Sequence, residues 1–344
     1  MGIMVGAQVS AEELLQRAWV VALPMRVPFR GITEREVLLI EGDQYWAEWA
    51  PFPEYGDAEA ARWLRCTLEM LDPIAPTRQW VPVNATIPAV DVQQEPDRVP
   101  ELLQRYPGCT TVKIKVAQQG QRLADDVARV TAVRQWYAEQ GIDAQVRVDA
   151  NGAWSVSEAL EAITALTATG SLEYVEQPCA SVAQLQQVRE EVRRRGLPAG
   201  IAADELIRKA SDPIAVVRAD ACDHAVVKAA PLGGPSKVAQ VAAQVGEFGV
   251  PVTVSSALDS SVGMYAGLLA AANSAPEGGT VAAAGLATGS LFVHDAAEPR
   301  PIVAGQLEVT PRIPEHSRLE ELAVSGTRRD WWLERLRRCC ALAL

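Results

Sequence analysis

The sequence predicts an α/β protein. A closed barrel of alternating strands and helices is expected over residues 81–290, with an α+β unit at 1–80 before it and a tail at 291–344 after it. Three observations carry this prediction. From residue 81, short β-rich apolar runs alternate with stretches of helical periodicity. Eight such runs start roughly 24 to 34 residues apart, enough for a crossover helix each time, which predicts a parallel sheet. Eight strands in about 200 residues suit a closed (β/α) barrel. No Gly-x-Gly-x-x-Gly follows the first strand, so an open nucleotide-binding sheet is the weaker alternative.

In chain order, residues 11–17 form a short segment of undecided type. Residues 18–25 and 35–41 are apolar and β-rich. Joined by the polar stretch Arg30-Gly-Ile-Thr-Glu34, they predict a hairpin. Tyr45 to Tyr55 is dense in aromatics and prolines and predicts an irregular loop, which is either a lid or packing within the unit. The spacing of Ala61, Leu64, Leu68 and Leu71 predicts a helix over 57–71, and the cluster Pro73, Pro76 and Pro82 ends the unit. The barrel strands are expected at 81–88, 111–117, 145–150, 172–178, 200–205, 224–229, 250–257 and 280–286. Helices are expected at 121–139, 156–168, 181–195, 235–248 and 261–272. In the tail, 301–310 predicts a strand and 329–343 a helix anchored by Trp331, Trp332 and Leu336.

Composition narrows the function classes. Hydrophobic content of 49% and a mean hydropathy of +0.02 over 344 residues describe a globular chain with a sizeable core. A net charge of −11 argues against a nucleic-acid or anionic-membrane partner. The six cysteines show no metal-type spacing, and the adjacent Cys339 and Cys340 are poor disulfide partners. Reduced thiols in a cytoplasmic protein are therefore expected. No apolar run reaches the 18 residues of a membrane span, and the start lacks a signal peptide's pattern. Residues 1–10 include either native sequence or an added leader.

The chemistry is expected at the C-terminal ends of the barrel strands. In Thr111-Val-Lys-Ile-Lys-Val-Ala117, Lys113 and Lys115 stand at i and i+2 and so share one face of a strand. They line either a polar cavity or a water-facing edge. The next strands end in carboxylates, Asp149, Glu176 and Asp204-Glu205, and the strand after them ends in Lys228. A single carboxylate in such a place is commonly a helix cap. Three on consecutive strands would repel one another unless a divalent cation compensates them. Oxygen donors without His or Cys select Mg2+, or Mn2+, over zinc. Glu205 competes with Asp204 for the third position. A desolvated lysine beside another positive charge has a lowered pKa and serves as a base. Metal and lysine together suit removal of a proton α to a carboxylate, so a small-molecule carboxylate is the expected partner. Ser255 and Ser256, in Val254-Ser-Ser-Ala-Leu-Asp-Ser-Ser261, either donate to a second substrate carboxylate or cap the next helix. The pair Gly233-Gly234 is expected to turn the chain after Lys228.

Lys113-Ile-Lys115, Asp149-Ala-Asn151, Glu176-Gln-Pro178, Asp204-Glu205 and Lys228, in this order on successive strands, resemble the enolase superfamily, muconate-lactonizing subgroup. The resemblance covers nearly the whole chain, and Glu48 to Tyr55 resembles the subgroup's capping loop. It implies a modified (β/α)7β barrel, with an α+β capping domain built from residues 1–80 and part of the tail. It implies Lys115 as the base, and then the acid of a syn dehydration, with Lys228 stabilising an enediolate from the opposite face. Lys113 would hold the substrate carboxylate and lower the pKa of Lys115. Asp149, Glu176 and Asp204 would hold the metal and Glu205 would support them. Arg147 and Asn151 would assist near the metal, although Arg147 equally suits a satisfied barrel interior. The subgroup often has Glu-Glu-Pro where this chain has Glu176-Gln177-Pro178. Racemisation or epimerisation of N-acylated amino acids or dipeptides is the alternative activity. The Asp-x-Asp pattern of dipeptide epimerases is not evident near 280–290.

Overall fold

The structure is a computed structural model that describes residues 9–29, 32–208, 210, 212–275 and 279–344. The question of a leader therefore lies largely outside the described residues. The undecided segment near the start is a helix, Ala11–Gln16. Ser10 accepts from the Glu13 amide while the Glu13 carboxylate accepts from the Ser10 amide, a reciprocal cap for exposed donors.

An antiparallel sheet follows, with Ala18–Phe29 (β1), Ile32–Glu41 (β2) and Trp46–Trp49 (β3) in that order. Residues 37–40 of β2 are buried on both faces, and the period of two divides them between two cores. Leu38 and Ile40 pack with Trp49, Leu64 and Trp332, while Val37 and Leu39 pack with Phe292 and Leu319. The aromatic stretch expected to be irregular is a strand in its first half. β-Branching is not needed there, because Trp46 and Trp49 are buried against these same cores. Loop structure begins only at Ala50, where Pro51 and Pro53 remove ladder donors. The helix Asp57–Leu71 lies as its periodicity predicts and packs against the C-terminal helix Gly326–Ala343. The Trp49 and Trp332 rings meet edge-to-face at 5.8 Å.

The run at 81–88 is two short strands, not one. Trp80–Pro82 (β4) precedes Ala85–Ile87 (β5), which is the first strand of the barrel sheet. Thr111–Lys115 (β6), Gln145–Asp149 (β7), Leu172–Glu176 (β8), Ala199–Ala203 (β9), His224–Val227 (β10) and Val252–Val254 (β11) continue it, all parallel and in sequence order. Gln306–Glu308 (β12) pairs antiparallel with β4 outside this sheet, so the strand expected at 301–310 is reduced to three residues. The eighth strand expected at 280–286 is reduced to two bridging residues. Ala284 pairs with Val83 and Gly285 with Ser255, which joins the two edges of the seven-stranded sheet. Residues 281–284 offer little β-branched surface. A side chain on Gly285 would also meet Ser255 Oγ at 2.8 Å, so the backbones close only through glycine.

The crossover helices Leu123–Glu139, Val156–Thr167, Val182–Arg195, Pro235–Gly246 and Met264–Ala272 cover the outside of the barrel. Arg98–Leu103 is a further helix that the periodicity did not single out. Between β9 and β10, among the described residues, the chain forms two short helices, Glu205–Arg208 and Ala215–Arg218. The first of them shapes the site.

Candidate active site

Strand register brings the charged residues together. Lys115 pairs with Asp149, and Asp149 with Glu176, across β6, β7 and β8. Along β6, Val112, Ile114 and Val116 face the outer core, which turns Lys113 and Lys115 into the barrel. Lys228 follows β10 directly. In the sheet, β7, β8 and β9 lie between the two lysine-bearing strands, so the lysines approach the three carboxylates from opposite sides.

The contacts are short. Lys113 Nζ lies 2.7 Å from Glu176 Oε1 and 2.9 Å from Asp149 Oδ2. Lys115 Nζ donates to Asp149 Oδ2 at 2.5 Å and to Asn151 Oδ1 at 3.0 Å. Lys228 Nζ donates to Asp204 Oδ2 at 2.6 Å. Asp149, Glu176 and Asp204 are each only 1% exposed, so these charges interact with little screening by water. Burial works against charge on Lys113, but Asp149 and Glu176 more than offset it and hold that ammonium above its ordinary range. Lys115 shifts the other way. Burial, with Lys113 beside it, outweighs Asp149 and lowers its pKa. Burial and the neighbouring Asp149 push Glu176 up to about 7. Asp149 and Asp204 are held low against burial, the first by Lys113 and Lys115, the second by Lys228 and Arg208.

Among Asp149, Glu176 and Asp204, two buried oxygens are poorly satisfied. Glu176 Oε2 accepts no hydrogen bond, and Asp204 Oδ1 has only Arg208 Nε at 3.5 Å. Among the described residues, no three carboxylate, imidazole or thiol groups lie close enough to form a metal cluster as they stand. Lys113 bridges Asp149 and Glu176 instead, and Lys228 pairs with Asp204. The donor set nevertheless fits a hard divalent cation: it is all oxygen, on three adjacent strand ends, with two oxygens in want of a partner.

Lys113, Lys115, Asp149, Asp204, Arg208 and Lys228 line a cleft open to solvent, together with Thr86, Ser255, Ser256, Thr288 and Leu291. Ser256 Oγ donates to Asp259 Oδ2 at 2.9 Å and accepts from the Leu258 and Asp259 amides, so it caps its own turn at the cleft wall. Asn151 has φ +49° and donates its amide to Asp149 Oδ1 at 3.0 Å. Glu205 accepts from Arg208 Nη2 at 2.9 Å.

Arg147 does not line the cleft. Two residues below Asp149 on β7, it is 1% exposed. It bonds both Glu173 oxygens, at 2.6 and 3.2 Å, as well as Asn84 Oδ1 and the Ala283 carbonyl. Its guanidinium stacks on Tyr174 at 4.8 Å. Of the two readings of Arg147, a satisfied barrel interior rather than a group assisting near the metal is the one its contacts match.

Sequence reasoning passed over two residues. Gln177 was noted only as a departure from Glu-Glu-Pro. Its Oε1 accepts from the Asp204 and Leu206 amides, and its Nε2 donates to Cys179 O at 2.7 Å. A carboxylate could accept the first two but not make the third. Arg208 lines the cleft beside Asp204, and its spacing of four from Asp204 was the available signal. From the cap, Phe52, Tyr55 and Trp63 complete the wall, so the aromatic loop does reach the cleft.

Comparison with known proteins agrees with this architecture. Residues 98–311 match the family described as enolase C-terminal domain-like, and residues 20–71 match enolase N-terminal domain-like. The chain is 54% identical to the o-succinylbenzoate synthase of Mycolicibacterium smegmatis, over 96% of this chain and 97% of that protein. It is 52% identical to those of Mycobacterium tuberculosis, over 96% of each chain, and Mycobacterium leprae, over 96% of this chain and 93% of that one. Among solved structures, the muconate lactonizing enzyme of Pseudomonas fluorescens superposes with a TM-score of 0.73 at 19% identity, over 90% of this chain and 98% of that one. The L-Ala-D/L-Glu epimerase of Bacillus subtilis superposes with a TM-score of 0.70 at 19% identity, over 90% of this chain and 97% of that one. At such identity these two speak for the fold alone.

Proposed function

The chain belongs to the enolase superfamily, and from that premise we propose that it is an o-succinylbenzoate synthase of menaquinone biosynthesis. The reaction is a syn dehydration of 2-succinyl-6-hydroxy-2,4-cyclohexadiene-1-carboxylate. The observation that carries the reading is the pair of opposed lysines, Lys115 on β6 and Lys228 after β10, with three buried carboxylates between them. Identity of 52–54% to synthases over nearly the whole chain supports the choice within the superfamily.

Asp149, Glu176 and Asp204 hold a divalent cation, Mg2+ or alternatively Mn2+. When bound, it supplies Lewis-acid stabilisation for charge on the substrate carboxylate. Lys115 Nζ, the lysine whose charge is disfavoured by burial and by Lys113, removes the proton from the carbon that bears the carboxylate. The negative charge spreads into the carboxylate as an enediolate, and Lys228 faces it with a fixed positive charge. The ring C–O bond then breaks on the same face. Its electron pair leaves with oxygen, Lys115 returns the proton, and water and an aromatic ring are formed. Lys113 keeps its proton and orients the carboxylate. Asn151 and Glu205 hold Lys115 and Arg208 in place, and Ser255 offers its hydroxyl to the succinyl arm beside the turn that Ser256 caps. Six free cysteines, five of them at most 2% exposed, suit a reducing, cytoplasmic setting. No helix among the described residues is long and apolar enough to cross a membrane.

Lysines on both faces favour one second reading, α-proton exchange with inversion of an N-succinylamino acid. Two variants separate the readings. Lys228→Arg keeps a charge but provides no base, since arginine stays protonated. It should retain dehydration, lowered by roughly one or two orders of magnitude, and lose inversion. Lys115→Ala should lose dehydration and its own-face exchange. Normal dehydration by Lys115→Ala would remove the base assignment.

A further inference from the structure

Arg208 ends the short helix that follows β9. At positions i+4 and i+3 from Asp204 and Glu205, its side chain folds back over both. It is 4% exposed and lines the cleft. Nη2 donates to Glu205 Oε1 at 2.9 Å, and Nε lies 3.5 Å from Asp204 Oδ1. The remaining arm, Nη1, crosses to the cap and donates to Tyr55 Oη at 3.0 Å.

Tyr55 is not a loose partner. Its ring packs against Phe52 at 5.5 Å and Trp63 at 6.1 Å. The Arg35 guanidinium covers Phe52 at 4.2 Å. Arg335 of the C-terminal helix holds the Phe52 and Tyr55 carbonyls from behind. The loop is thus one packed unit, and its tyrosine hydroxyl meets the barrel at a guanidinium that also reaches Asp204 and Glu205, the two carboxylates that follow β9. A planar fork can serve three partners at once, which a lysine cannot.

We propose that Arg208 is a positioning residue that couples docking of the cap loop, through Tyr55, to the geometry of Asp204 and hence to cation affinity. With the clasp made, Glu205 pins the guanidinium and Arg208 Nε stays beside Asp204 Oδ1 at the cleft. With it broken, Asp204 Oδ1 loses that neighbour and the carboxylate is left with the Lys228 ammonium on Oδ2. The inference rests on the assignment of Asp204 as a metal ligand.

Titration calorimetry of Mg2+ into the full chain tests it without reference to turnover. Asp204→Asn serves as the reference, and circular dichroism checks the fold. Arg208→Met should weaken Mg2+ roughly tenfold or more, the scale for a lost partner of a ligand. Tyr55→Phe removes one hydroxyl and should weaken it about threefold, raising the Mg2+ needed for half-maximal rate. In the double variant, Tyr55→Phe should add nothing to Arg208→Met. If Asp204→Asn weakens binding but Tyr55→Phe does not, or if Tyr55→Phe acts equally in both backgrounds, the coupling is wrong. If Asp204→Asn leaves Mg2+ affinity intact, the metal assignment fails and the coupling with it. Should Arg208→Met not fold, Tyr55→Phe alone decides: unchanged affinity overturns the proposal.

Discussion

Glu48 stands where cap and barrel meet. It comes from β3, and its Oε2 accepts from the Ser260 amide at 2.9 Å. Asp259 lies beside it, and Trp46, Trp63, Cys66, Val262 and Ala266 surround the same small space. Burial first, and repulsion from Asp259 second, push its carboxyl up to about 8, against the opposing pull of Ser260 and Arg35. The sign follows from proton counting. The unfolded chain releases this proton near pH 4.5, while the folded protein keeps it until about pH 8. Between those values unfolding releases a proton, so the contribution to stability falls as pH rises and levels off above 8. An interval of about 3.5 pH units at about 1.4 kcal/mol each gives a penalty approaching 5 kcal/mol at the upper end. Glu48→Gln keeps an acceptor for Ser260 and has no proton to lose. Urea unfolding of both proteins at pH 5, 6, 7 and 8 checks this. Relative to wild type, the variant should gain about 1.4 kcal/mol for each pH unit across the window. A difference that stays constant from pH 5 to 8 would refute the reasoning.

Other outcomes follow from the same contacts. Asp149→Asn or Glu176→Gln should lower dehydration roughly 10³-fold or more with the fold retained, as circular dichroism and product formation would show. Near-normal activity in either would end that ligand assignment. Arg147→Met leaves Glu173 without its buried partner and should cost about 3–5 kcal/mol in urea unfolding. Because Arg147 stands off the cleft, KM of the folded fraction should stay within about twofold. Gly285→Ala drives a methyl against Ser255 Oγ, 2.8 Å from where it would sit. It should destabilise by about 1–3 kcal/mol and raise KM, and a fully stable variant would show that the barrel closure tolerates a side chain. Phe52→Ala should raise KM more than it lowers kcat, since it trims the cleft wall and leaves both lysines in place.

Much of the site was legible because period and spacing are local. Lys113 and Lys115 at i and i+2 share a face on any strand, and carboxylates that close consecutive apolar runs converge on any closed parallel barrel. The helix at 57–71 was fixed by its own apolar stripe. Trp46–Trp49 was not legible, because what makes it a strand is the open edge of β2 beside it. Ala284 and Gly285 were read as the middle of a full strand, but they do no more than bridge β11 to Val83.

The sequence by itself determined the alternation of strands and helices, the order of lysine, three carboxylates and lysine around the ring, and the oxygen-only donor set. Those follow from composition along the chain. The tertiary structure alone decided what depends on residues far apart in sequence. It turned Arg147 into a plug, because Asn84, Glu173 and the Ala283 carbonyl reach it from three different segments. It gave Lys113 and Lys115 opposite shifts, although they stand two residues apart, because burial with Lys113 alongside outweighs Asp149 at Lys115, while Asp149 and Glu176 together more than offset burial at Lys113. And it set Tyr55 of the cap against Arg208 of the barrel, 153 positions along the chain, a contact that no local pattern encodes.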